Sequence, residues 1–151
     1  MSQSKESADW RRHLISDSAG IDRVLKETRT IAVLGIKTDQ SQPAYYVPEH
    51  AQSVGIRVIP VPVYYPEATE ILGERVYRTV AAIPEEVDMV NVFRRSAAIP
   101  PHVDDIIAKK PKSVWFQLGI TNDEAAEKLA REGIDVVQDR CLLVELRRRG
   151  R

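Results

Sequence analysis

A chain of 151 residues suits one domain, and 43% hydrophobic residues suffice for an unaided core. Lys and Arg total 22, as do Asp and Glu, and this zero balance argues against a general nucleic-acid binder, which needs surplus positive charge to displace counterions. A single cysteine, Cys141, excludes an internal disulfide; the polar opening MSQSKESADWRRH lacks a secretory signal's apolar stretch, and no apolar run approaches the roughly 18 residues of a membrane span. A cytoplasmic protein is expected.

Residues 1–16 show little periodicity and read as a flexible arm, leaving 17–151 as a single domain. Asp17 or Ser18 can cap a first helix in which Ile21, Val24 and Leu25 recur at helical spacing. Residues 30–35, TIAVLG, form a β-branched, apolar run ending in glycine, a first strand. After the polar turn IKTDQSQ, Pro43 suits the first turn of a helix reaching about Val54 and stopped by Gly55. Residues 56–61 read as the second strand, followed by the proline-punctuated loop PVYYPEA. A helical turn is expected over 69–72, and an irregular piece over 76–80.

Residues 88–93 form the third strand, and Pro100 and Pro101 open a helix running to about Lys109. Residues 113–118 make the fourth strand, ended by Gly119. Thr121 or Asn122 caps a helix over 123–132, closed by Gly133. A fifth strand over 134–138 precedes a final helix, CLLVELRRRGR, whose basic end suits the negative pole of its dipole. Short apolar runs alternating with amphipathic segments predict an α/β fold, a single doubly wound domain with a five-stranded, mostly parallel sheet. Ligands of such sheets bind beyond the carboxyl ends of the strands, so the residues standing there decide function.

Gly35 and Lys37 lie between the first strand and a helix N-terminus. That arrangement reads either as a phosphate site, with outward N–H groups and a side-chain cation, or as a plain connecting loop. The dinucleotide fingerprint G-x-G-x-x-G is absent, because Gly35 is the only glycine there. Past the second strand, where a dinucleotide domain carries an acid, stand Pro62, Tyr64, Tyr65 and Pro66, with Glu67 the first acid. These rings offer either a stacking surface for adenine or a stiff loop packed on the body. Arg94 and Arg95 end the third strand with guanidinium forks that match phosphate, and Arg94 is preferred. Gln117 and Gly119 end the fourth. Cys141 lacks a histidine at a neighbouring strand end and reads as a structural thiol. No Ser-His-Asp set and no metal-spaced cluster is present.

Four segments, VLGIKTDQSQPAYYV, VIPVPVYYPEATEILGERVYRTVAAIP, VDMVNVFRRSAAIP and VWFQLGITNDEAAEKLAREGIDVVQDRC, taken in this order, resemble the small bacterial CoA-binding domain proteins. These are related to the CoA-binding domain of the succinyl-CoA synthetase α subunit. The resemblance covers residues 30–141. It implies a Rossmann-like domain with coenzyme A lying across the strand ends. Gly35, Ile36, Lys37, Thr38 and Gln40, with Pro43 entering the helix, would meet its phosphates. Val61, Pro62 and Tyr64 would wall the adenine end, and Phe93, Arg94, Gln117 and Gly119 the pantetheine side. Many members have a small residue and a serine after the loop glycine, where this chain has Ile36 and Lys37, and Asn-Pro where it has Val61-Pro62. The synthetase's phosphorylated histidine belongs to a second domain, so binding of CoA or acyl-CoA without catalysis is expected. A homodimer or an acyl-transfer enzyme is the candidate partner. A nicotinamide-dependent oxidoreductase would need a richer glycine loop and an earlier acid. A ligand-free interaction module would use the stripe of Leu142, Leu143, Val144 and Leu146 as its contact.

Overall fold

The computed structural model describes residues 9–151. Five strands form the main sheet: β1 (Thr30–Leu34), β2 (Arg57–Val61), β5 (Met89–Val92), β6 (Ser113–Gln117) and β7 (Asp135–Arg140). All neighbours are parallel, in the order β2-β1-β5-β6-β7. The helices are α1 (Ser18–Lys26), α2 (Pro43–Ser53), α3 (Val103–Lys109), α4 (Asp123–Arg131) and α5 (Leu142–Arg148). The order reverses between β1 and β5, and this topological switch point opens a crevice at the carboxyl ends of the strands.

Side-chain alternation along the strands builds two cores. Ile31, Val33, Met89 and Trp115 point to one face, where α1, α2 and α5 supply Leu25, Val47 and Leu146. Ala32, Leu34, Val92 and Phe116 point to the other, covered by α3 and α4 through Ile106 and Leu129. Both faces are buried, which is why the strands read as near-continuous apolar runs. Pro60 is tolerated within β2 because that strand lies at the sheet edge, where a missing N–H breaks no ladder.

One expectation is corrected. Residues 69–72 are not helical: β3 (Glu70–Ile71) and β4 (Glu74–Arg75) form a small antiparallel hairpin. Leu72 and Gly73 make its two-residue turn with φ of 55° and 74°, the left-handed pair a tight hairpin demands. Buried Ile71 anchors it to the core. Within the expected flexible arm, Trp10 and Ile15 are buried, while residues 1–8 lie outside the described residues. Trp10–His13 form a 3-10 turn, and Trp10 is only 9% exposed. The guanidinium of Arg11 lies 4.5 Å and that of Arg131 5.2 Å from the Trp10 ring centre. The Ile15 N–H then donates to Val136 O at 2.9 Å, so this segment covers the open edge of β7. No helix among the described residues is long and apolar enough to cross a membrane.

Candidate functional site

Gly35 closes β1 and shapes the crevice. Its φ is 88°, and a Cβ placed there would meet Phe93 O at 2.5 Å and Arg94 Cδ at 3.3 Å. Only glycine combines that backbone with so close an approach to the end of β5. The Gly35 N–H donates to Val61 O at 2.9 Å and the Phe93 N–H to Leu34 O at 2.9 Å. Three strand ends are thereby locked together under one opening.

That opening is a cavity of about 280 Å³ lined by Gly35, Lys37, Tyr64, Phe93, Arg94 and Arg95. Three of the six are cations and none is an acid. The Arg94 guanidinium sits 5.8 Å from the Tyr64 ring centre, and its Nε is buried without a partner among the described residues. Tyr64 is 60% exposed, so its phenol stands over the cavity mouth. Arg94 holds that phenol below the ordinary tyrosine range, through contact with its oxygen and through charge, with further pushes from Arg95 and Lys37. On the far side, burial holds His102 below the usual histidine range, and the charge of Arg94 adds to the effect against the opposing pull of Asp105.

The β1–α2 loop completes the rim. Asp39 Oδ1 accepts from the Ser41 hydroxyl at 2.7 Å and the Ser41 N–H at 3.0 Å. Those bonds first, and then Lys37, hold its carboxyl below the usual range. Gln42 precedes α2 without a side-chain cap, and Pro43 occupies the first turn. The amides of Thr38, Asp39 and Gln40 in the loop, and that of Ala44 in the first turn of α2, find no acceptor among the described residues.

The structure sorts the sequence-based candidates. Gly35, Lys37, Tyr64, Phe93 and Arg94 meet at the cavity, and Arg95 joins them, so both arginines face it. Thr38, Gln40 and Pro43 are exposed on the adjacent loop and helix start. Ile36 is 1% exposed in the core under α2, and Val61 is fully enclosed in the opposite core, so each can offer a ligand only its backbone. Pro62 is buried beside Val61. Gln117 is also internal: its Oε1 accepts from the Leu142 N–H at 3.3 Å and lies 3.5 Å from Asn91 Nδ2. Gly119 is exposed one strand away from the cavity. Cys141 is half-buried against the α1/α2/α5 core.

Sequence reasoning misses Asn91 and His102. Asn91 is fully buried in β5, donating to Trp115 O at 3.3 Å while its Oδ1 has no partner among the described residues. A lone amide inside the apolar run DMVNVF was the available signal, since buried polar groups need a reason. His102 lies at the start of α3, and its neighbourhood with Arg94 depends on the crossover, which no local motif reports.

The family described as "CoA binding domain" matches residues 29–147. YneT of Bacillus subtilis (strain 168) is 31% identical over 126 residues, covering 83% of this chain and 91% of that protein. A solved structure from Thermus thermophilus superposes with a TM-score of 0.81 at 38% identity, covering 88% of this chain and 98% of the other. The dinucleotide forming acetyl-coenzyme A synthetase 1 of Ca. Korarchaeum cryptofilum, in complex with phosphate and ADP, superposes with a TM-score of 0.62 at 25% identity, over 74% of this chain and 26% of the synthetase. The family match begins just before β1 and ends within α5, taking in the whole sheet and its crevice, and the chain belongs to the CoA binding domain family.

Proposed function

We propose that the chain binds coenzyme A or an acyl-CoA across the carboxyl ends of its strands, without catalysing a reaction of its own. One observation carries this reading: Lys37, Arg94 and Arg95 converge on a cavity at the switch point that no carboxylate lines. Three cations suit a ligand with several phosphate charges, and arginine forks suit phosphate oxygens in particular. At about 280 Å³ the cavity fits a diphosphate rather than a whole coenzyme. The adenine therefore lies toward Tyr64 and the pantetheine arm over β6. A cytoplasmic location, and a second copy or an acyl-transfer enzyme as partner, belong to the same reading. The single-glycine loop and the lack of an acid directly after β2 weigh against a nicotinamide dinucleotide.

Calorimetric titration with CoA, with NAD, NADP and ATP as controls, tests the reading. CoA binds, and Lys37→Ala and Arg94→Ala each weaken it by roughly 10- to 100-fold, the worth of a charged hydrogen bond. Binding of a nicotinamide cofactor in place of CoA refutes it.

A further inference from the structure

The edge strand β7 ends in a bulge. β6 and β7 run in step from Ser113↔Asp135 to Trp115↔Val137, but Gln117 then faces Arg140, so β7 carries one extra residue across that step. The excess is taken up at Asp139, whose φ of 58° lies in the left-handed region. A residue with a side chain is strained there relative to glycine, and bulges of this kind re-aim the side chain they carry. Here Asp139 Oδ1 accepts the Gly119 N–H at 2.7 Å, and the Asp139 N–H donates to Ile120 O at 3.2 Å.

Neighbouring bonds extend the brace. Gln138 Oε1 accepts the Asn122 N–H at 2.7 Å, and Asn122 Nδ2 donates to Ser96 O at 3.0 Å. The loop after β6 is thus pinned from β7 on one side and tied on the other to the segment that follows Arg94 and Arg95. The braced turn presents Leu118, which at 64% is the most exposed of the large hydrophobic side chains among the described residues. Val92 pairs with Phe116, so Arg94 and Leu118 stand two residues past the same rung on adjacent strands. An apolar side chain is held in water one strand over from the cation cavity, on the side away from Tyr64.

We infer that Asp139 is a positioning residue, which fixes the Leu118–Gly119 turn so that Leu118 seats the uncharged arm of a ligand whose phosphates lie at Lys37, Arg94 and Arg95. The inference rests on the CoA reading of the crevice. It explains why a strained aspartate occupies a site where glycine would be relaxed: glycine has no acceptor for the Gly119 N–H, whereas asparagine keeps both the acceptor and a tolerance of left-handed backbone.

The test compares CoA with 3′-phospho-ADP, the same nucleotide without the arm, by calorimetry on the full chain. Asp139→Gly and Leu118→Ser each weaken CoA by about tenfold and leave 3′-phospho-ADP within about twofold of wild type. Asp139→Asn restores CoA binding to within about twofold of wild type. Unchanged CoA affinity in Asp139→Gly overturns the inference. So does an equal loss on both ligands, because the effect then lies in the crevice as a whole and not at the arm. Failure of the wild-type protein to bind CoA removes the reading of the crevice itself, and this is seen before any variant is made.

Discussion

Replacing Gly35 by alanine separates two costs that glycine avoids there. The first is conformational: a φ of 88° forces alanine into the left-handed region, at about 1 kcal/mol. The second is steric: the new Cβ meets Phe93 O at 2.5 Å, a backbone atom of a residue tied to β1 through its N–H, which donates to Leu34 O. Forced overlap in a packed interior adds about 1–3 kcal/mol, so the total is about 2–4 kcal/mol. Gly133 provides the control, since its φ is 80° but nothing lies within 4 Å of its Cβ position. Gly133→Ala therefore loses only the conformational part. In urea unfolding, Gly35→Ala should fall below Gly133→Ala by about 1–3 kcal/mol, or by roughly 2–12 °C in Tm for a chain of this size. Equal stabilities in the two variants refute the idea that the ends of β1 and β5 are pressed together through Gly35. The clash also moves Phe93 and Arg94, so CoA affinity falls in Gly35→Ala and holds in Gly133→Ala.

Trp10→Ala should cost about 3 kcal/mol in urea unfolding, because a mostly buried indole beneath two guanidinium groups is lost; a cost near zero restores the flexible-arm reading. His102 has its pKa lowered from the ordinary 6.5, mainly by burial, so the unfolded chain binds the proton more readily. The stability it contributes is complete above 6.5 and is lost as pH falls from 6.5 through the lower folded value, and His102→Asn should flatten that stretch of the stability–pH curve. Arg94→Ala should return the Tyr64 phenol toward its ordinary pKa of 10.0, read as a difference absorbance titration against the Tyr64→Phe protein; an unmoved titration places Arg94 away from the phenol.

Much of the fold was legible because each strand is a short apolar run closed by glycine, proline or polar residues. The Glu70–Arg75 hairpin was not. Its turn carries Leu72 at a left-handed position where asparagine is the usual marker, and a buried Ile71 supplies the stability that local propensity withholds. Trp10 was hidden for a related reason: one 3-10 turn has no periodicity, and its anchor lies on α4, far along the chain. At the site, Lys37 and Arg94 were legible as cations at strand ends. Ile36 and Gln117 occupy the right sequence positions but point into the interior, a distinction that strand alternation decides and sequence order alone does not.

The glycine at the end of β1 stands without the familiar dinucleotide fingerprint. In that fingerprint the absent Cβ lets a pyrophosphate approach the backbone. Here a Cβ on Gly35 would meet the Phe93 carbonyl, so the glycine serves the closure of two strands as well as lining the cavity. On the proposed CoA reading, the charge that meets the phosphates comes from the rim of the crevice: Lys37 from the loop, Arg94 and Arg95 from just past the end of β5. The arginines are placed by the same contact that fills the glycine's space, since Arg94 follows Phe93 directly. With a single glycine in the loop, two of the three cations that line the cavity stand in succession just past the end of β5.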